Sequence, residues 1–202
     1  MSVVVTTLLV GCGVLLGRLI ARSPTPKKEE AEMPKEREPE PAKPAAAPKL
    51  DAFPCQLGDV VLRSATSDEA WLAGALVLYE GEEPALALFF SPEAGADRAV
   101  LARASQKELL WLSEEKGVTV ALGDPPTALE VGSDRFERRR RLPLRAERIG
   151  SGAPDVGADV IFAEYTGLGD DGLVVLVAKE RVLALRGPSL GAGAYDVLPG
   201  KG

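Results

Sequence analysis

WLAGALVLYEGEEPALALFF, residues 71–90, carries two apolar runs, Trp71 to Tyr79 and Pro84 to Phe90, separated by a charged stretch around the turn residue Gly81. Runs of this length, rich in leucine, valine and aromatic residues and bounded by turn chemistry, read as strands, and two in succession read as a hairpin. The same pattern continues outward. Gly58 to Arg63 precedes it, and Arg98 to Arg103 follows after Ser91-Pro92 and Gly95. Farther along, Ala158 to Tyr165, Leu173 to Ala178 and Arg181 to Arg186 are strand-like, with Gly167 to Gly172 as a tight connection. Many short strands at such spacing predict a mainly β domain, closed as a sandwich or a barrel.

Two segments leave the local reading open. Lys107 to Ser113 and Val118 to Leu122 flank Glu114 to Gly117 as a hairpin would, yet Ser105 to Glu115 also suits a helix. The glycine-rich Ser189 to Ala194 is looser than a strand approach should be, which leaves the register there undefined.

Ahead of the β-rich part the composition changes twice. Val3 to Ile20 is an apolar run with one charge, Arg18, and Arg18, Arg22, Lys27 and Lys28 gather at its C-terminal side. Eighteen residues span roughly 27 Å as a helix, close to the hydrocarbon thickness of a bilayer. The expectation is a single transmembrane helix over residues 3–21. Basic residues are retained on the cytoplasmic side, so the topology expected is N-terminus out and the rest of the chain in the cytoplasm. A rival reading takes Leu9-Val10-Gly11-Cys12 as a lipoprotein signal, which would anchor an outward-facing chain at Cys12. Against it stands the absence of a positive n-region before the apolar stretch. Gly13 and Gly17 have the spacing that lets membrane helices approach closely, a weak signal on its own.

Residues 22–50 hold seven prolines, six acids and seven bases with almost no large apolar side chain, so burial cannot offset the cost of ordering them. They are expected to form a disordered, semi-stiff spacer. The remaining 51–202 is long enough for one domain with its own core.

That domain is acidic, which argues against general nucleic-acid binding and against attraction to an anionic membrane surface. Its exception is a basic segment: Arg135, Arg138, Arg139, Arg140, Arg141 and Arg145, with Arg148 nearby. One account is a two-faced strand around Phe136, Leu142 and Leu144 whose arginines pair with Glu137, Glu147 or acids on neighbouring strands. The other is a patch for an anionic partner: a protein, a phosphate or a lipid headgroup surface.

Catalytic chemistry is thinly represented. The chain has no histidine, so Ser-His and Cys-His pairs and imidazole metal sites are excluded. Cys55 is alone in the domain and forms no disulfide within it. Glu164, Asp170 and Asp171, beside Tyr165, are the candidate acids for a cationic ligand or for acid and base work. Asp170-Asp171-Gly172 equally suits an ordinary hairpin turn. Gly167-Leu168-Gly169 lacks the further glycine and the helix of a phosphate loop. Trp71 and Trp111 read as packing residues. No metal and no cofactor is expected.

Gln56-Leu57-Gly58-Asp59-Val60-Val61, Trp111-Leu112-Ser113-Glu114, the arginine-rich strand leading to Gly150, Glu164-Tyr165 before a Gly/Asp turn, and Tyr195-Asp196-Val197-Leu198-Pro199-Gly200 resemble a bacterial domain-of-unknown-function family, number 4178, over about residues 53–200. The resemblance implies a largely β domain, often associated with membranes or with polyamine-synthase-like neighbours, and it supplies no catalytic residues. The function expected is a membrane-tethered, non-enzymatic binding or scaffolding module with a protein partner. The alternatives are a polyamine-related accessory, a carboxylate-dependent enzyme, or a surface lipoprotein.

Overall fold

Gly74–Glu80 (β3) and Glu83–Ser91 (β4) form the expected antiparallel hairpin, with Leu76 opposite Leu88 and Gly81 at positive φ in its turn. The computed structural model describes residues 50–92 and 98–200. Within them, Val60–Arg63 (β1) and Glu69–Trp71 (β2) precede the hairpin, and Arg98–Arg103 (β5) and Leu109–Glu114 (β6) continue it as a meander. A second meander follows: Ala128–Val131 (β7), Asp134–Gly150 (β8), Asp159–Thr166 (β9), Asp171–Val177 (β10) and Val182–Leu190 (β11). Tyr195–Leu198 (β12) is the last strand.

The two meanders join at both margins. β6 pairs with β11, and β3 pairs with the C-terminal half of β8, from Tyr79 opposite Arg145 to Gly74 opposite Gly150. The result is a closed eight-stranded antiparallel barrel in the order β3-β4-β5-β6-β11-β10-β9-β8, with β7 added to the N-terminal end of β8. Eight strands enclose a space that side chains can fill, and here Leu76, Leu88, Leu101, Leu112, Phe162, Val174, Leu176 and Leu185 fill it. Ala153 and Val156, from the β8–β9 connection, join that cluster.

Both faces of most barrel strands are covered. β12, β1 and β2 form a separate three-stranded sheet, and Cys55, Val61, Ala70 and Leu72 pack with Ala75, Ala87, Phe89, Val100 and Trp111 of the barrel. Elsewhere Val120, Leu129, Val131 and Phe136 pack with Tyr165, Leu173, Val175 and Ala184. This double cover explains why β3 and β10 read as continuous apolar runs: strands buried on both faces have no polar face to alternate. β8 has an exposed face and alternates on either side of its arginine run.

The fold differs from the sequence expectations in identifiable places. The run Trp71 to Tyr79 is two strands in two sheets, with the change at Leu72 and Ala73, whose amides donate to Asp59 O and Phe90 O respectively. Gly74 is needed there because an added Cβ would collide with Ser151 O. Val118 to Leu122 is not a strand. Both edges of β6 are taken by β5 and β11, so the segment crosses the barrel exterior, where Val118 and Val120 pack. Ser105 to Glu115 is not helical: Ser105 takes positive φ and β6 starts at Leu109. The strand before the glycine-rich segment extends to Leu190, and a turn from Gly191 to Ala194 follows.

Among the described residues no helix is long and apolar enough to cross a membrane. The expected span 3–21, with Cys12, lies outside the described residues, as does the spacer 22–50 apart from Leu50.

Candidate functional site: the arginine rim

The four consecutive arginines of β8 do not follow simple alternation. The register with β9 shifts between Arg138, opposite Tyr165, and Arg140, opposite Glu164, which leaves Arg139 as the extra residue of a β-bulge. Arg138 and Arg141 thereby both reach the exterior connection 115–127. Arg138 Nη1 donates to Pro125 O, and Arg141 Nε donates to Asp124 Oδ1 at 2.9 Å. Tyr165 OH donates to Pro126 O at 2.9 Å, tying the same connection to β9. These two arginines act as clamps.

Other members of the segment have local acid partners. Arg135 lies 3.6 Å from Glu137, and Arg145 lies 3.6 Å from Glu147 with its guanidinium 4.2 Å from the Tyr79 ring centroid. Burial, and then the nearby Glu147 charge, hold the Tyr79 hydroxyl above its ordinary pKa. The two-faced strand that pairs with Glu137 and Glu147 is therefore present for these residues. Arg139 and Arg140 are exposed and make no ion pair among the described residues.

Arg139 borders two recesses. One, of about 630 Å³, is lined by Asp134, Arg135, Arg138, Thr166 and Leu168 among others. The second, of about 180 Å³, brings together Glu164, Asp170 and Asp171, the three acids singled out from sequence, with Glu108 and Ser189. Their charges are largely spoken for. Glu164 Oε1 accepts from Arg103 Nη2 at 2.5 Å, Asp171 Oδ2 accepts from Arg186 Nη2 at 2.6 Å, and Glu108 Oε1 accepts from Ser189 Oγ at 2.7 Å. Arg186 also donates to Asp134 Oδ2 at 2.6 Å and lies 5.0 Å from the Phe136 ring centroid. These carboxylate bonds, first that of Asp171 and then that of Asp134, raise the Arg186 pKa. Asp170 is exposed, in the β9–β10 turn.

Arg103 and Arg186 were not singled out in the sequence, although Arg103 had a signal. In RAVLAR it stands two residues after the interior Leu101, so alternation places a cation inside the barrel.

Elsewhere the candidate chemistry is enclosed. Cys55 is buried, and desolvation followed by the Asp59 charge pushes its thiol up to about 12, which keeps it protonated and unreactive at neutral pH. Trp111 is buried, with the Arg63 and Arg98 guanidiniums at 5.7 and 5.1 Å from its ring, while Trp71 is partly exposed. Among the described residues no group of three Cys, Asp or Glu could hold a metal ion.

Fold and site together define a closed eight-stranded antiparallel barrel with a packed interior and an arginine-bearing rim. The chain matches no family model, no curated protein and no solved structure.

Proposed function

We propose that this protein is a membrane-tethered, non-enzymatic binding module whose barrel meets an anionic partner through Arg139 and Arg140. One observation carries the reading: a bulge sets these two guanidiniums free at the rim while their neighbours Arg138 and Arg141 are fixed to the connection 115–127. Arginine forks suit carboxylate and phosphate acceptors. The acidic balance of 51–202 as a whole disfavours indiscriminate attraction to polyanions, so recognition is local to the rim. The interior is filled by apolar side chains and the Arg103–Glu164 pair, which favours surface recognition over a lumen ligand.

The tether rests on the apolar run of residues 3–21 and its basic flank, which support an N-terminus outside and a cytoplasmic barrel. Kinship with family 4178 rests on the quoted motifs and adds no chemistry. A cationic ligand is less well served, because Glu164 and Asp171 already have arginine partners.

Calorimetry on the full chain in neutral lipid nanodiscs tests the reading with polyglutamate as an anionic protein-surface mimic and polylysine as the opposite probe. Polyglutamate should bind, and Arg139→Gln with Arg140→Gln should weaken it about tenfold, on the scale of two modest charge-assisted contacts. Absence of polyglutamate binding, or binding indifferent to the two substitutions, would overturn the rim as the site. Polylysine binding lost on Glu164→Gln with Asp170→Asn would favour the cationic reading instead.

A further inference from the structure

Leu168 is 90% exposed at the tip of the β9–β10 turn, between Gly167 and Gly169, and it is the most exposed large apolar side chain of the described residues. A Cβ on Gly169 would meet nothing within 4 Å, so the tip stands clear of the barrel. Leu168 lines the 630 Å³ recess together with Arg135, Arg138 and Arg139. The acids at that recess are engaged: Asp134 by Arg186, and Glu137 by Arg135. Asp170 lies on the other side of the turn and borders the smaller cleft. Of the three arginines at that recess, Arg135 pairs with Glu137 and Arg138 is held by Pro125 O, so Arg139 is the unpaired one among the described residues. An aliphatic tip beside an unpaired guanidinium matches the boundary of an anionic bilayer. There the leucine can enter the acyl region while the arginine takes a headgroup phosphate.

We infer that the β9–β10 tip and Arg139 beside it form a contact for anionic phospholipid, with Leu168 entering the headgroup–acyl boundary and Arg139 on a phosphate, Arg140 following it along β8. The inference rests on the reading of the rim as an anion-binding surface and names its partner as the lipid rather than an acidic protein. It requires no ordered pocket, because each arginine near a negative leaflet adds attraction that falls off within a Debye length.

The test uses the full chain in vesicles, in a Cys12→Ser background, with a spin label at Leu168→Cys and, separately, at Ser133→Cys. Ser133 lines the same recess and leaves Leu168 intact, while the buried Cys55 stays unlabelled. In vesicles containing phosphatidylserine both labels should become protected from a water-soluble relaxant and, at position 168, accessible to oxygen. In pure phosphatidylcholine they should remain in water. With the Ser133 label, Leu168→Asp or Arg139→Gln should each lower the membrane-bound fraction, the arginine change by about fivefold in the binding ratio. Labels that stay in water in both lipids would overturn the lipid contact. If polyglutamate binding persists in that case, the anionic rim stands and its partner is a protein, whereas loss of both removes the rim reading itself. Calorimetric binding of inorganic phosphate that Arg139→Gln removes, with labels that stay in water in phosphatidylserine vesicles, would assign the site to free phosphate and also overturn the lipid contact.

Discussion

Arg103 and Glu164 meet across the inside of the barrel, Nη2 to Oε1 at 2.5 Å, from β5 and β9, which stand opposite each other in the ring of eight. Their side chains are 10% and 14% exposed, so the pair is largely withdrawn from water. Such a pair costs desolvation to form, and removing one partner leaves the other charge stranded. Glu164→Gln should therefore destabilise the barrel by about 3 kcal/mol, whereas Arg103→Met combined with Glu164→Leu should recover most of that loss. Urea unfolding of the two variants beside the parent protein checks this. A single-variant cost near zero would show that water already reaches the pair.

Cys55 gives the fold an alkaline limit. Its thiol ionises near 9.0 when unfolded and is pushed up to about 12 when folded, mainly by burial. Below the unfolded value both states hold the proton and pH has no effect through this group. Between the two values only the unfolded state releases it, so stability falls as pH rises through that window. The raised pKa values of Tyr79, Tyr165 and Tyr195 act in the same direction at high pH. In a Cys12→Ser chain, melting temperature should drop steeply above pH 9 and less so with Cys55→Ala, compared from each variant's own neutral baseline. Equal slopes for the two would dismiss the thiol as the cause.

Gly187 lies in β11 where a Cβ would collide with the Trp111 carbonyl oxygen of β6. A strand glycine of this kind marks a close backbone approach, and here the approach is at one of the two joins between the meanders. Gly187→Ala should cost more than 2 kcal/mol by forcing the strands apart, on the scale of core overpacking. At Gly191, where nothing lies within 4 Å, alanine should be nearly neutral. Thermal unfolding of both variants supplies the comparison, and similar melting points would refute the steric argument.

Arg186 links β11 to β10 and to the start of β8 through Asp171 and Asp134. Arg186→Met should leave the barrel folded but speed amide exchange in β7 and the first residues of β8 several-fold, because the extension of the sheet loses its cross-link. Arg186→Lys should fall between, since an ammonium cannot reproduce the fork. Unchanged exchange in Ala128–Val131 would show that apolar packing alone holds β7.

Strand content was legible in the residues because β3, β4, β5 and β10 carry uninterrupted apolar runs with turn chemistry between them. The sheet partners were not. Nothing in Trp71 to Tyr79 announces that the chain changes sheets at Ala73, since the carbonyl there accepts from the amide of Ser151, 78 residues away, and Gly74 leaves room for that approach. Val118 to Leu122 has strand composition but no free edge to join. The partners Glu137 and Glu147 were readable as neighbours on the same strand, and Asp124 was not, because it depends on where the long connection falls. The β-bulge that separates Arg139 from Arg138 leaves no trace in RRRR.

The pairing of β1 with β12, Val61 opposite Val197, makes an early strand wait for a late one. During synthesis Val60–Arg63 would leave the ribosome long before Tyr195–Leu198, with the whole barrel translated in between. Non-local closures of this kind slow folding, and the Cys55 and Val61 surface lacks this edge of its cover in the interval. A nascent chain stalled short of Tyr195 should therefore be a better chaperone substrate than the finished protein.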